Sequence, residues 1–244
     1  MDRYRRQIII PQFGEEGQRA IRQASVLVVG VGGLGSAICP YLVGAGIGQL
    51  KIIDADTVAL HNLQRQVLYR EPQIGLSKAE MAKKTLSELN SQVQIEAYNE
   101  WFSRENATQL VQNVDIVIDA SDNYATRYLI NDVCVTLDKP FIYGAICELE
   151  GQMALLNYKK GATYRCLFPD EAELTARPKK ELGVIGILPA IVACWQVNEV
   201  FKLLCNYGNL MNDKLFYINL IDNSSMIFDI IPSQEQRQKA LFRV

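Results

Sequence analysis

This chain of 244 residues predicts an α/β fold with a doubly wound, mostly parallel sheet, on the strength of three observations. A buried strand over 25–30 runs directly into a glycine-rich turn, G-V-G-G-L-G at 30–35. A second strand over 49–54 ends in the acid Asp54. Apolar strand-like runs then alternate with helix-like ones through short connections, as in βαβ units. Together these features predict a Rossmann-like sheet.

The other elements of the first half continue this alternation. A helix is predicted over 77–89, with Ser77 as its cap and Glu80 completing a capping box. Further helices are predicted at 34–44, 103–112 and from Tyr124 onward, and further strands at 93–98, 114–119 and 141–143. Helices are therefore expected on both faces of the sheet.

After Gly144 the pattern changes. A strand at 152–158 is followed by a polar loop, and alternating runs at 215–220 and 226–231 predict a hairpin. We expect these antiparallel strands to continue the sheet and the last dozen residues to be frayed. The expected organisation is one domain over 1–244, with an N-terminal helical arm (1–23), a nucleotide-binding half (24–144), and a second half (145–244) whose crossover loop lies near 159–182.

Composition narrows the class of protein. A net charge of −2 argues against binding to nucleic acid or to an anionic membrane surface. The longest apolar stretch, 184–204, is interrupted by polar residues and predicts a buried helix, with Cys194 and Trp195 in the core, and no membrane span. Six scattered cysteines without a C-x-x-C pair indicate a cytoplasmic protein.

The glycine turn predicts a phosphate-binding loop. Gly30 and Gly32 let the backbone turn tightly and approach phosphate, and Gly35 lets the next helix pack closely on the strand. The helix N-terminus attracts the anion, and Asp54 lies where an acid reaches a ribose hydroxyl. The turn alone fits an NAD-dependent oxidoreductase equally well, so both classes of enzyme remain open at this point.

Charged side chains beside the turn distinguish the two classes. Strand ends in such a sheet face one crevice, and seven polar residues are expected there: Asp54, Asp56, Asp119, Asp122, Asn62, Arg65 and Lys78. Arginine supplies a bidentate fork, lysine a point charge, and aspartate oxygens hold a hard cation. The set suits a triphosphate with Mg²⁺, whereas a nicotinamide enzyme needs only the ribose acid.

Short motifs recur in a specific order along almost the whole chain. They are R-Y-R-R-Q-I (3–8), the glycine turn, D-x-D-x-V-x-x-x-N-L-x-R-Q (54–66), G-x-x-K (75–78), D-x-x-D-N (119–123) with Arg127, G-Q (151–152) and Y-R-C-L-F-P (164–169). On these motifs the chain resembles the ThiF/MoeB/HesA family, bacterial relatives of ubiquitin-activating enzymes. The resemblance implies an enzyme that uses ATP to adenylate the C-terminal Gly-Gly of a small ubiquitin-like sulfur-carrier protein.

The resemblance also implies roles for individual residues. Asp54 would bind ribose, Arg65 and Lys78 would bind phosphates, and Asp122 would bind magnesium. The remaining nucleotide-binding positions would be Gly30, Gly32, Gly33, Gly35, Asp56, Asn62 and Asn123. The residues at 164–170 resemble those of the thiamine-pathway branch more closely, with the molybdopterin branch as the alternative.

A homodimer is expected as well. Members of the family are two-fold dimers in which Arg6 would reach the neighbouring subunit's site as an arginine finger. The arm carries its own apolar patch (Ile8, Ile9, Ile10 and Phe13), which packing across a two-fold interface would bury.

Two departures from the family pattern lead to further expectations. Many members hold zinc with two C-x-x-C pairs, but here Thr163 stands where the partner of Cys166 would be, and the second pair is absent. One thiolate cannot form a tetrahedral site, so no zinc is expected. Lys179 replaces a cysteine common in the crossover loop, which puts a thioester step there in doubt. A non-catalytic scaffold that has kept the fold is a third alternative.

Overall fold

The computed structural model describes residues 2–178 and 183–241, and its centre is one eight-stranded sheet in the order β3-β2-β1-β4-β5-β6-β7-β8. The strands are β1 (Ser25–Val29), β2 (Gln49–Ile53), β3 (Gln94–Tyr98), β4 (Ile116–Asp119), β5 (Phe141–Cys147), β6 (Glu150–Leu156), β7 (Lys214–Asn219) and β8 (Ser224–Asp229). The first five are mutually parallel and the last three join antiparallel. The predicted Rossmann-like fold, with antiparallel strands continuing the sheet, is confirmed.

The topology places a crevice beside β1. The chain moves outward from β1 to β2 and β3, then returns to the other side of β1 with β4 and β5. Val29 pairs with Ile53 on one side and with Asp119 on the other. The order reverses at this point, so the loops that follow the strands diverge and leave room for a ligand.

Helices cover both faces of the sheet. In chain order they are α1 (Arg5–Ile8), α2 (Gly14–Gln23), α3 (Gly35–Ala45), α4 (Lys78–Leu89), α5 (Ala107–Gln112), α6 (Tyr124–Thr136), α7 (Tyr164–Leu167), α8 (Glu171–Ala176), α9 (Ile187–Cys205) and α10 (Gln234–Leu241). Helices α2, α3, α4 and α9 share one apolar core, and α5 and α6 share the other. Ser77 caps α4, since its hydroxyl accepts the Glu80 N–H at 3.4 Å.

Helix α9 is long and apolar enough to cross a membrane, judged by length and composition alone. Its inner face, with Leu188, Val192 and Val197 buried, packs in the core against the sheet. The expectation that Cys194 and Trp195 are core residues is wrong, because both lie on the exposed outer face. The buried side of this helix carries the polar residues Gln196 and Glu199 while the exposed side carries Cys194 and Trp195, so hydrophobic periodicity could not distinguish the two sides.

Two stretches expected to be irregular are helical. The polar loop predicted over 159–182 contains α7 and α8, tied to α6 because the buried Arg165 guanidinium bonds Asp132 at 2.6 Å and Glu171 at 3.0 Å. The C-terminal stretch expected to fray forms α10, whose Ala240 is fully buried. The Arg165–Asp132 contact joins residues 33 positions apart, so a local sequence pattern carries no signal for it.

The N-terminal arm is helical, as predicted, and it is anchored near α3. The Tyr4 ring is buried against Gly46, and its hydroxyl accepts a hydrogen bond from the Asn90 amide at 2.9 Å. The Gln7 amide donates to the carbonyl of Ala45 at 3.0 Å. The arm therefore has a fixed path although much of its surface faces solvent.

Candidate active site

The glycine turn is shaped by steric constraints at two positions. Gly30 has φ +95°, and a Cβ there would lie 2.7 Å from the Ala120 carbonyl oxygen. A Cβ on Gly35 would lie 2.1 Å from the carbonyl oxygen of Gly30. Helix α3 therefore starts in direct contact with the end of β1, a packing that a side chain at Gly35 would obstruct. Gly32 and Gly33 line the open side of the turn.

Asp54, at the end of β2, closes the turn. Its carboxylate accepts the Val31 N–H at 2.7 Å and the Asp56 N–H at 2.9 Å. Burial raises the pKa of Asp54, and these two hydrogen bonds oppose the rise. Because a carboxylate has about four acceptor positions, two remain for hydroxyl groups of a ligand.

Two cationic side chains lie near Asp54. The Lys78 ammonium, only 5% exposed, lies 2.9 Å from a carboxylate oxygen of Asp56. The guanidinium of Arg65 donates to the His61 carbonyl at 3.2 Å, which leaves most of its five N–H donors available. Both cations line the cleft, so it is suited to bind an anion.

Asn62 supports the segment that carries Arg65. Its side chain is buried and does not line the cleft, while its carbonyl accepts the N–H groups of Arg65 and Gln66 at 3.0 Å each. The structure instead brings the side chain of Gln66 into the cleft, with an amide oxygen that is buried and has no hydrogen-bond partner. Gln66 belongs to the 54–66 motif, and its position there was the only sequence signal for it.

The end of β4 supplies the opposite wall. Asp119 is fully buried, and burial raises its pKa, opposed first by the charge of Arg127. One of its carboxylate oxygens accepts both the N–H and the hydroxyl of Ser121, and the other has no hydrogen-bond partner. Asp119 therefore fixes the loop that carries Asp122 and Asn123, both of which line the cleft. Asn123 also caps α6 by accepting the Thr126 N–H at 2.9 Å.

Arg127 is a site residue that the sequence assigned no role. Its guanidinium lies between the rings of Tyr124 and Tyr143, 5.7 and 5.6 Å from their centroids, and donates to the carbonyl of Ser121 at 3.1 Å. Its Nε atom is buried without a hydrogen-bond partner. This positive charge stands at the boundary between two cavities.

The first cavity is a cleft of about 220 Å³ over the strand ends, lined by the glycine turn, Asp54, Asp56, Arg65 and Lys78. The second, of about 920 Å³, runs over β5 and β6 toward α8. Both are lined by Asp122, Asn123, Arg127 and Ile146. A ligand in the first cavity and a chain end in the second would therefore meet at Asp122 and Arg127.

Three sequence-based expectations concern residues away from this cleft. Arg6 is exposed on α1 and does not line the cleft of its own chain. Lys179 lies outside the described residues. Cys166 is half-buried, and its sulfur lies 3.4 Å from both the backbone nitrogen and the hydroxyl of Thr163. Over residues 2–178 and 183–241, no group of three or more metal-binding side chains is assembled.

Comparisons with known proteins agree with this architecture. The model of the ThiF family matches residues 4–240. A Thermus thermophilus protein named sulfur carrier protein adenylyltransferase is 43% identical over 230 residues, covering 92% of this chain and 85% of that protein. A Dictyostelium discoideum protein named adenylyltransferase and sulfurtransferase MOCS3 is 44% identical over 231 residues, but this chain spans only 53% of its length.

Solved structures share the fold. E. coli MccB, crystallised with AMPCPP and MccA, superposes with a TM-score of 0.84 at 23% identity, covering 95% of this chain and 72% of that one. The protein PaaA superposes with a TM-score of 0.80 at 26% identity, covering 95% and 74% respectively.

The Rossmann-like sheet, the charged cleft at its carboxyl edge and these named relatives define an adenylyltransferase. The family model covers nearly the whole chain, and so the protein belongs to the ThiF family.

Proposed function

We propose that this protein uses ATP to adenylate the C-terminal carboxylate of a small ubiquitin-like sulfur-carrier protein ending in Gly-Gly. The observation that supports this most directly is the pair of adjoining cavities that share Asp122 and Arg127. A nucleotide in the first would present its α-phosphate to a carboxylate arriving through the second. The name of the Thermus thermophilus relative supports the same substrate class.

The chemistry would consist of positioning and charge neutralisation. The carrier's carboxylate attacks the α-phosphorus in line, an oxygen–phosphorus bond forms, and pyrophosphate leaves. Asp54 holds the ribose, the glycine turn approaches the phosphates, and Arg65 and Lys78 neutralise charge that develops on them. Arg127, fixed between two tyrosine rings, would attract and orient the incoming carboxylate. No residue of the chain becomes covalently modified in this scheme.

Magnesium fits the oxygen donors at the cleft. Asp122 and Asp56 place carboxylates on opposite walls, and both are exposed at the surface of the cleft. Mg²⁺ typically binds one or two carboxylates together with substrate phosphates and water. The ion would enter with ATP and withdraw charge from its phosphate oxygens. Asp122 is the proposed principal ligand.

The second subunit would complete each site. Arg6 is exposed on an arm whose path is fixed by Tyr4 and Gln7, and Ile9 and Ile10 leave an apolar surface beside it. Covering that surface with a second copy would give the arm a partner and bring Arg6 toward the neighbouring triphosphate. We therefore propose a cytoplasmic homodimer with shared sites.

The carrier defines two versions of the proposal. The residue pattern at 164–170 favours a thiamine-pathway carrier, and a molybdopterin-synthase carrier is the alternative. Purified carriers of both kinds, from the same genome, should be compared in ATP–pyrophosphate exchange. Exchange that depends on one carrier and requires its terminal Gly-Gly identifies it. No exchange with any Gly-Gly carrier overturns the proposed function.

Calorimetry tests the rival classes. Adenylation predicts binding of ATP with Mg²⁺ and no binding of NAD, whereas an oxidoreductase predicts the reverse. A scaffold without activity predicts that Asp122→Ala changes nothing in the exchange assay.

A further inference from the structure

The nucleotide cleft has an aromatic side chain at one end that the proposed chemistry does not use. Trp101 lines the cleft and is 68% exposed. The exposed indole of Trp101 therefore contributes little to core packing, whereas its neighbour Phe102 is buried in the core.

The strand order fixes which part of a nucleotide can reach Trp101. The cleft crosses the ends of β3, β2, β1 and β4 in that order, at spacings of about 4.8 Å per strand. Trp101 follows β3, Asp54 follows β2, and the glycine turn follows β1. With ribose on Asp54 and phosphates on the turn, the base must lie on the β3 side, beside Trp101.

The backbone of this segment is fixed before any ligand arrives. The Asn106 side-chain amide donates to the Trp101 carbonyl at 2.8 Å, and the Asn106 side-chain oxygen accepts the Ser103 N–H at 2.9 Å. Two hydrogen bonds thus hold the backbone of the loop that carries the indole. Flat aromatic surfaces of this kind attract the faces of nucleobases.

We propose that Trp101 is the stacking platform for the adenine of ATP and so a determinant of nucleotide affinity. This inference rests on the proposed use of ATP. It assigns to Trp101 a contact that the ground state and the transition state share, so the side chain should affect KM for ATP and leave kcat unchanged.

Tryptophan fluorescence offers a direct measurement because the chain has two tryptophans, Trp101 and Trp195. Trp195 lies on α9, with its ring centroid 4.8 Å from that of Phe216, and does not line the cleft. ATP and AMP should quench the emission of both the wild type and the Trp195→Phe control, by a larger fraction in the control, because Trp101 is then its only tryptophan. Tripolyphosphate, which has no base, should not quench either protein.

Substitution then separates stacking from mere proximity. Calorimetry on Trp101→Ala should show a Kd for ATP raised about tenfold, and Trp101→Phe should recover most of the affinity. Unchanged ATP affinity in Trp101→Ala overturns the inference, as does an effect confined to KM for the carrier. If the wild type itself binds no ATP, the proposed function fails instead, and the two failures are thereby distinguished.

Discussion

The ammonium of Lys78 lies 2.9 Å from the carboxylate of Asp56, and the two side chains differ sharply in exposure: 5% for the lysine and 51% for the aspartate. The lysine is therefore held in place by an acid that remains open to solvent. An arriving phosphate and its Mg²⁺ could share this pair, the phosphate taking the cation and the metal taking the acid. The ion pair thus places a cation and an acid side by side where a charged ligand would bind.

Replacing Lys78 tests whether its charge is used in the reaction. Lys78→Met should lower kcat/KM for ATP–pyrophosphate exchange about 100- to 1,000-fold, since one charge that stabilises the transition state is lost. Lys83→Met, on the exposed face of the same helix, is the matched control and should stay near wild type. Equal rates for the two variants would show that Lys78 has no role in the reaction.

Gly35 provides a test of the turn itself. A Cβ there would stand 2.1 Å from the Gly30 carbonyl oxygen, whereas a Cβ on Gly44, in the same helix, meets nothing within 4 Å. Gly35→Ala should lower the free energy of unfolding by about 1–3 kcal/mol and weaken ATP binding. Gly44→Ala should raise it by about 0.5–1 kcal/mol. Urea denaturation measures both, and equal shifts would contradict the packing argument.

The raised pKa of Asp54 predicts opposite pH effects on binding and on stability. As the pH falls through this raised pKa, the carboxylate that accepts ribose hydroxyls is lost, and ATP affinity should fall. Over the same window, from the raised pKa down to the ordinary value of 3.8, the folded state binds more protons than the unfolded state. The contribution of Asp54 to stability should therefore increase as the pH is lowered.

Asp54→Asn is the reference for this comparison. It should bind ATP more weakly at neutral pH, and the ratio of its affinity to that of the wild type should approach one in acid. Calorimetry and urea denaturation across the pH series provide the two measurements. A constant affinity ratio would mean that Asp54 does not contact the nucleotide.

Sharing of sites between subunits can be tested by complementation. Arg6→Ala and Asp122→Ala should each abolish exchange, and their heterodimer should contain one intact site. After subunit exchange by random mixing, about a quarter of the wild-type activity should return. Arg5→Ala, an exposed arginine on the same short helix, should remain active by itself. Proven exchange of subunits without recovered activity would rule out action of Arg6 in trans.

Much of the nucleotide-binding half was predictable because its constraints are local. A tight turn packed against a neighbouring strand requires glycine at 30 and 35, and a buried parallel strand requires an apolar run. Both features are therefore specified by residues that are close together in the sequence. Asp54 and Lys78 could be assigned to the cleft from their positions at the ends of predicted elements. The general rule on strand ends then brought them together.

Contacts between distant segments were decided only by the tertiary structure. Arg165 binds Asp132, 33 positions away, and also Glu171, so it ties α7 and α8 to α6 in a stretch that is locally polar and loop-like. The roles of Arg127, Gln66 and Trp101 depend on which cavity each side chain lines. Trp195 faces outward on α9, a helix whose buried side includes polar residues. By itself, the sequence determined the sheet, the turn and the family, because periodicity and backbone sterics act between near neighbours. Which side chains face the ligand was left to packing between segments far apart in the chain.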